Sequence, residues 1–164
     1  MASLRINALL EESIVDGPGL RFVVFTQGCP HHCPGCHNPQ THDPKAGQLI
    51  DIDAIASAIE ENPLLQGVTF SGGEPFMQPA ALTELGQKIH ALGLDVVTYT
   101  GFTLEALRAK GNPEIDALLS VTDLLVDGPF LLEERNTTLA YRGSANQRLI
   151  PLSEAMQGLL PPEA

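Results

Sequence analysis

The chain is poor in basic residues: nine Lys and Arg stand against 20 Asp and Glu in 164 residues, a formal net charge of -11. Binding to nucleic acid draws on cations clustered against phosphate, so no nucleic-acid partner is expected. Only Arg135, Arg142 and Arg148 make a loose basic run, and Glu133 and Glu134 precede them. No stretch reaches the roughly 18 apolar residues that suggest a membrane span. The N-terminus lacks a basic segment leading into an apolar one, so neither a transmembrane helix nor a signal peptide is expected. Cysteine is scarce: three residues, an odd number, within eight positions. That excludes a disulfide-stapled framework and suits a reducing compartment, with the cytoplasm as the expectation. Internal repeats and low-complexity segments are absent as well.

What is present is an ordinary globular composition, 43% hydrophobic and 18% charged. It fits one domain over residues 1–164 with one core, and a short C-terminal tail over about 152–164. Leu4–Leu10 reads as a first strand and Arg21–Thr26 as a buried second one, separated by the turn signal Val15-Asp16-Gly17-Pro18-Gly19. A loop punctuated by Pro30, Pro34, Pro39 and Pro44 follows, over about 27–47. A loop this long inside a compact domain is usually functional.

From Asp51 the period turns helical through Ile52, Ile55, Ala56 and Ile59, with Asp51 or Asp53 as N-cap. A strand at Gly67–Phe70 runs into Ser71-Gly72-Gly73-Glu74-Pro75. A helix from Pro79 buries Leu82, Leu85, Ile89 and Leu92, and Gly93 stops it. Leu94–Thr100 and Asp123–Asp127 are further strands, with helices from Thr103 and from Asn112-Pro113 between them. Residues 131–140 stay unassigned, Gln147–Ile150 reads as a last strand and Ser153–Leu160 as a short helix. The alternation predicts an α/β fold: an open parallel sheet, or a partial parallel β/α barrel, of about five or six strands. A closed eightfold barrel takes about 250 residues. In either architecture the chemistry sits at the C-terminal ends of the strands.

The cysteines are spaced Cys29-x3-Cys33-x2-Cys36. Three thiolates in a loop curled by Gly28, Pro30, Pro34 and Gly35 suit three corners of an iron–sulfur cluster, with one iron left open for a ligand. Two other readings stand beside it: zinc with His31, His32 or His37 as fourth ligand, and a Cys33/Cys36 dithiol. The Gly72-Gly73-Glu74 turn lets backbone approach a ligand closely, and Glu74 offers a charge suited to an ammonium. By itself such a sequence is more often just a turn. Thr98-Tyr99-Thr100-Gly101 and Asp127-Gly128 lie at other strand ends and would line the same mouth, with capping by the threonines and turn formation at Asp127 as the plainer roles. Asp16 carries the same ambiguity. Asn146 and Arg148 read as closing the last strand, and His90 as a helix-surface residue.

With these motifs together, the chain resembles the radical S-adenosylmethionine enzymes. Val15-Asp16-Gly17-Pro18-Gly19-Leu20-Arg21, Gln27-Gly28-Cys29 and Cys36-His37-Asn38 narrow the likeness to the glycyl-radical-enzyme activases. Thr100–Thr103, Leu125–Phe130 and Tyr141–Arg148 resemble later motifs of those that serve anaerobic ribonucleotide reductase. The resemblance implies a partial barrel of the radical S-adenosylmethionine type and a 4Fe-4S cluster on Cys29, Cys33 and Cys36. It implies S-adenosylmethionine bound by Gly72, Gly73 and Glu74, with Thr98 and Asp127 lining the pocket.

It further implies an electron donor of the flavodoxin or ferredoxin type and reductive cleavage to a 5′-deoxyadenosyl radical. That radical takes hydrogen from a glycine of a large partner enzyme, the anaerobic ribonucleotide reductase large subunit being favoured. Gly35 departs from the aromatic residue that many members of the superfamily carry before the third cysteine. Alternatives are an activase of the pyruvate formate-lyase type, a deazaguanine-forming type of radical enzyme, an electron carrier and a zinc-binding interaction module.

Overall fold

A computed structural model describes residues 2–31, 35–36, 39–136 and 139–160. Its seven strands are β1 (Ser3–Ser13), β2 (Arg21–Thr26), β3 (Gln48–Asp51), β4 (Gly67–Gly72), β5 (Asp95–Tyr99), β6 (Leu124–Asp127) and β7 (Arg148–Pro151). They form one sheet in the order β3-β1-β2-β4-β5-β6-β7. The expectation of about five or six parallel strands is corrected on two points. Among the described residues there are seven strands, and only the central pairs β2-β4, β4-β5 and β5-β6 are parallel; β1 pairs antiparallel with β2 and β3, and β7 with β6. The strand missing from the sequence reading is β3. It is four residues long, lies at the edge and half faces solvent, so it shows no apolar alternation. The sheet ends in two edges, β3 and β7, and is not closed.

The helices are α1 (Ile52–Glu60), α2 (Pro79–Ala91), α3 (Leu104–Ala109), α4 (Pro113–Val121) and α5 (Glu154–Gln157). Their starts follow the expected chemistry. The Asp51 carboxylate accepts from Asp53 N, the Thr103 hydroxyl from Ala106 N and the Asn112 side chain from Glu114 N, while proline opens α2 and α4. Leu92, expected on the buried face of α2, instead lies beyond the helix end and is exposed. Gly93 holds φ +79, the left-handed stop that glycine adopts without strain.

Helices α1 to α4 cover one face of the sheet. Their Ile55, Ile59, Leu82, Leu85, Leu107 and Leu118 pack with Phe22, Val24, Val68, Phe70, Val96 and Leu125 in one core. Each such fully buried side chain contributes about 1.5–3 kcal/mol. The opposite face carries a smaller cluster of Val97, Leu124 and Val126 against Met156 of α5. Alternation along β5 and β6 therefore divides their residues: Val96, Thr98 and Leu125 turn to the helices, and Val97, Tyr99 and Val126 turn away. No helix among the described residues is long and apolar enough to cross a membrane.

Candidate functional site

Past the end of β2 the two limbs of the cysteine loop run side by side. Gly28 N donates to Thr41 O (2.6 Å) and Cys29 N to His42 O (3.1 Å). The buried Gln27 amide clasps the far limb by donating to Gln40 O (3.0 Å) and Asp43 O (2.7 Å). The turn after β4 closes on the same loop through its backbone: Gly73 N donates to Thr26 O (2.8 Å) and Glu74 N to Gly28 O (2.7 Å). Two motifs more than forty residues apart in sequence are thus joined by main-chain bonds. Both glycines are required by this approach. Gly72 holds φ +93, and a Cβ there would lie 2.5 Å from Thr26 N; one on Gly73 would lie 2.9 Å from the Gly28 carbonyl carbon.

Beside this junction opens a cavity of about 590 Å³, with Cys29, Cys36, Gly72, Gly73, Tyr99 and Tyr141 in its wall. Cys33 lies outside the described residues, as do His32 and His37. Among the described residues no three or more His, Cys, Asp or Glu gather as a metal-holding group. The thiol-bearing residues described fit a cluster loop: Cys29 and Cys36 both border the cavity, and Gly28 (φ +103) and Gly35 (φ +74) each take the positive φ of a tight turn. Gly35 holds φ +74, so a side chain at this position, where an aromatic residue is absent, would strain the backbone; it would also have to displace the tip of the exposed Leu132 side chain.

The other expected residues stand differently. The Glu74 carboxylate is fully buried and does not border the cavity. It accepts from Gly101 N (2.8 Å), Thr100 Oγ1 (2.8 Å), Phe76 N (3.1 Å) and His31 Nε2 (2.6 Å). Its charge serves the chain's own donors, and the parts of the turn that border the cavity are Gly72 and Gly73. Thr98, on the helix-facing parity of β5, shares a hydrogen bond with Thr122 (2.9 Å) and is not in the cavity wall. Asp127 is likewise buried away from the wall. It accepts from Leu104 N at the start of α3 (2.8 Å) and pairs with Arg148, which also reaches Glu105 (2.7 Å). Asp16 does border the cavity, while Asn146 donates to Pro129 O (2.8 Å) and closes the 129–147 segment on itself.

Tyr141 and Arg142 were not expected in the site, and Tyr99 was expected only as part of the Thr98–Gly101 strand end. Strand parity puts Tyr99 where Thr98 was sought, and a sheet covered on both faces hides that parity from sequence reading. The Tyr99 hydroxyl donates to Tyr141 O (2.6 Å), and burial pushes its phenol well above the usual range, so it stays protonated. Tyr141 takes φ +60, unusual for a residue with a side chain. Tyr99→Phe is expected to cost about 1 kcal/mol of stability in urea unfolding, the ordinary worth of one hydrogen bond. Arg142 is the one Lys or Arg in the cavity wall among the described residues, and it has no ion pair there.

A family model described as a 4Fe-4S single cluster domain matches residues 15–150. That puts the open sheet and its cysteine loop in an iron–sulfur class rather than a zinc one. An anaerobic ribonucleoside-triphosphate reductase-activating protein of Salmonella typhimurium is 34% identical over 88% of this chain and 96% of its own length. Proteins of the same name from Vibrio cholerae and Escherichia coli K12 are 36% and 34% identical, each over 82% of this chain and 89% and 90% of their own. The chain belongs to the family of anaerobic ribonucleoside-triphosphate reductase-activating proteins.

Proposed function

We propose that this chain is a radical S-adenosylmethionine activase whose partner is the large subunit of an anaerobic ribonucleotide reductase. The observation that carries the reading is the junction itself: the loop of Cys29 and Cys36 and the Gly72-Gly73 turn are bonded backbone to backbone at one cavity wall. The names of the relatives point to the same partner. Cys29, Cys33 and Cys36 would hold a 4Fe-4S cluster, with the electron coming from a donor of the flavodoxin or ferredoxin type. When bound, that cluster supplies one electron to the sulfonium, giving methionine and a 5′-deoxyadenosyl radical that takes hydrogen from a glycine of the partner.

The chain's own residues supply position. Gly72 and Gly73 bring main chain to the amino group of S-adenosylmethionine, and Arg142 is the cation available to its carboxylate. Glu74 shapes the turn from behind. Thr98, through Thr122, and Asp127, through Leu104 N and Arg148, hold the strand ends that frame the cavity. The open sheet leaves room for a polypeptide loop, and a partial barrel of the radical S-adenosylmethionine type is the architecture this reading assigns.

The test is anaerobic reconstitution with iron and sulfide, reduction, and addition of S-adenosylmethionine and the reductase. A glycyl-radical EPR signal on the reductase, and 5′-deoxyadenosine formed in step with it, are expected. Cys29→Ser should abolish both. A colourless protein holding zinc, or a wild-type chain that forms no radical on the reductase, would overturn the reading.

A further inference from the structure

The cysteine loop touches the Gly72–Glu74 turn a second time, through a side chain that the proposed chemistry does not use. His31 lies between Cys29 and Cys33 in sequence, and its Nε2 is 2.6 Å from Oε1 of the fully buried Glu74. The other partners of that carboxylate are two backbone amides and a hydroxyl, all donating to it. The imidazole therefore donates as well, from Nε2–H. The ring is held on two further sides. It meets Phe102 edge-on, with centroids 4.6 Å apart and planes at 72°, and it lies directly over Gly101. A Cβ on Gly101 would fall 2.5 Å from His31 Cδ2 and 2.6 Å from Nε2. Gly101 does not have a positive φ, so its missing side chain makes room for the His31 ring rather than for an unusual backbone.

We propose that His31 is a positioning residue, a latch that pins the limb of the cysteine loop just past Cys29 to Glu74 and so holds that limb in register with the ligand-binding turn. Its consequence for the cluster rests on the function proposed above; the latch itself does not. The physical gain is in ordering. A loop already fixed at His31 loses less conformational freedom when its thiolates close on a cluster. The hydrogen bond also spends Nε2 inside the chain, which removes it from the set of metal ligands.

Three substitutions separate the latch from mere packing. His31→Gln keeps a donor of similar reach, His31→Phe keeps the ring without the donor, and Gly101→Ala pushes the ring off Glu74 without removing any polar group. In reconstituted protein, His31→Phe and Gly101→Ala are expected to speed iron release to a chelator and to weaken S-adenosylmethionine binding, each by about tenfold. They should also alter the EPR spectrum of the reduced cluster, with His31→Gln restoring most of the wild-type behaviour. In apo-protein, Gly101→Ala should destabilise the wild type and cost little more once His31→Ala has been made, a coupling of about tenfold in the unfolding constant. Independent, additive effects of positions 31 and 101 would overturn the latch, as would a His31→Phe protein that keeps wild-type iron and ligand retention. If the wild-type chain assembles no cluster, the proposed function fails, while the apo-protein cycle still decides the latch.

Discussion

Replacing Arg21 with Met is expected to cost about 3–5 kcal/mol of stability, the range for stranding the partners of a buried ion pair. Arg21 is fully buried at the start of β2. Its guanidinium donates to Thr69 Oγ1 (2.8 Å), Pro18 O (2.9 Å), Val68 O (3.0 Å) and Asp95 Oδ1 (2.5 Å). One side chain thus ties the Val15–Gly19 turn to β4 and to the start of β5. Met fills similar space and supplies none of the donors, so two carbonyls, the Thr69 hydroxyl oxygen and the Asp95 carboxylate each lose one. Gln66 still donates to Asp95 Oδ2 (2.8 Å), which keeps the loss toward the lower end of the range. A domain of this kind holds about 5–15 kcal/mol in total, so the variant should fold but unfold at much lower urea. Lys88→Met is the control. The Lys88–Asp53 pair is 2.9 Å long but has its side chains 42% and 56% exposed, so solvent screens it and only a small shift of the urea midpoint is expected. Equal losses in the two variants would refute the argument from burial.

Substituting Ala for Gly73 is expected to leave a folded protein that binds S-adenosylmethionine at least about 100-fold more weakly, because a misplacement near 1 Å at a positioned site costs on that order. The added Cβ would overlap the Gly28 carbonyl, a backbone group that no side-chain rotation can move away. Relief has to come from parting the turn and the cysteine loop, which breaks the Glu74 N–Gly28 O bond. Equilibrium binding to reconstituted protein, with far-UV circular dichroism to confirm folding, checks it. Gly158→Ala serves as comparison: its nearest contact would be Ala155 O at an ordinary 3.7 Å, and binding should not change. A Gly73→Ala protein with unaltered affinity would show that the close approach of the two motifs does not matter for the ligand.

Much of the chain was legible before folding because its signals are local. The caps Asp51, Thr103 and Asn112, the opening prolines of α2 and α4 and the stop at Gly93 each act within one turn of backbone. So does the apolar run of β2, which delivers the chain into the cysteine loop. The edges were harder. Strand β3 exists because β1 offers it a partner, from Ser3 against Asp51 to Ile6 against Gln48, and nothing in Gln48–Asp51 alone announces a strand.

The amino-acid order was enough to reveal the cysteine spacing, the glycine-rich turn and the rhythm of strands and helices, since each rests on neighbours a few positions apart. Tertiary structure alone decided which side chains meet. It set Tyr99 rather than Thr98 at the cavity, because the side-chain period of a strand is two and its phase is fixed by pairing with distant strands. It made Glu74 a buried hub for His31, Thr100, Gly101 and Phe76. Those donors come from three segments that only the parallel order β2-β4-β5 brings to one end of the sheet.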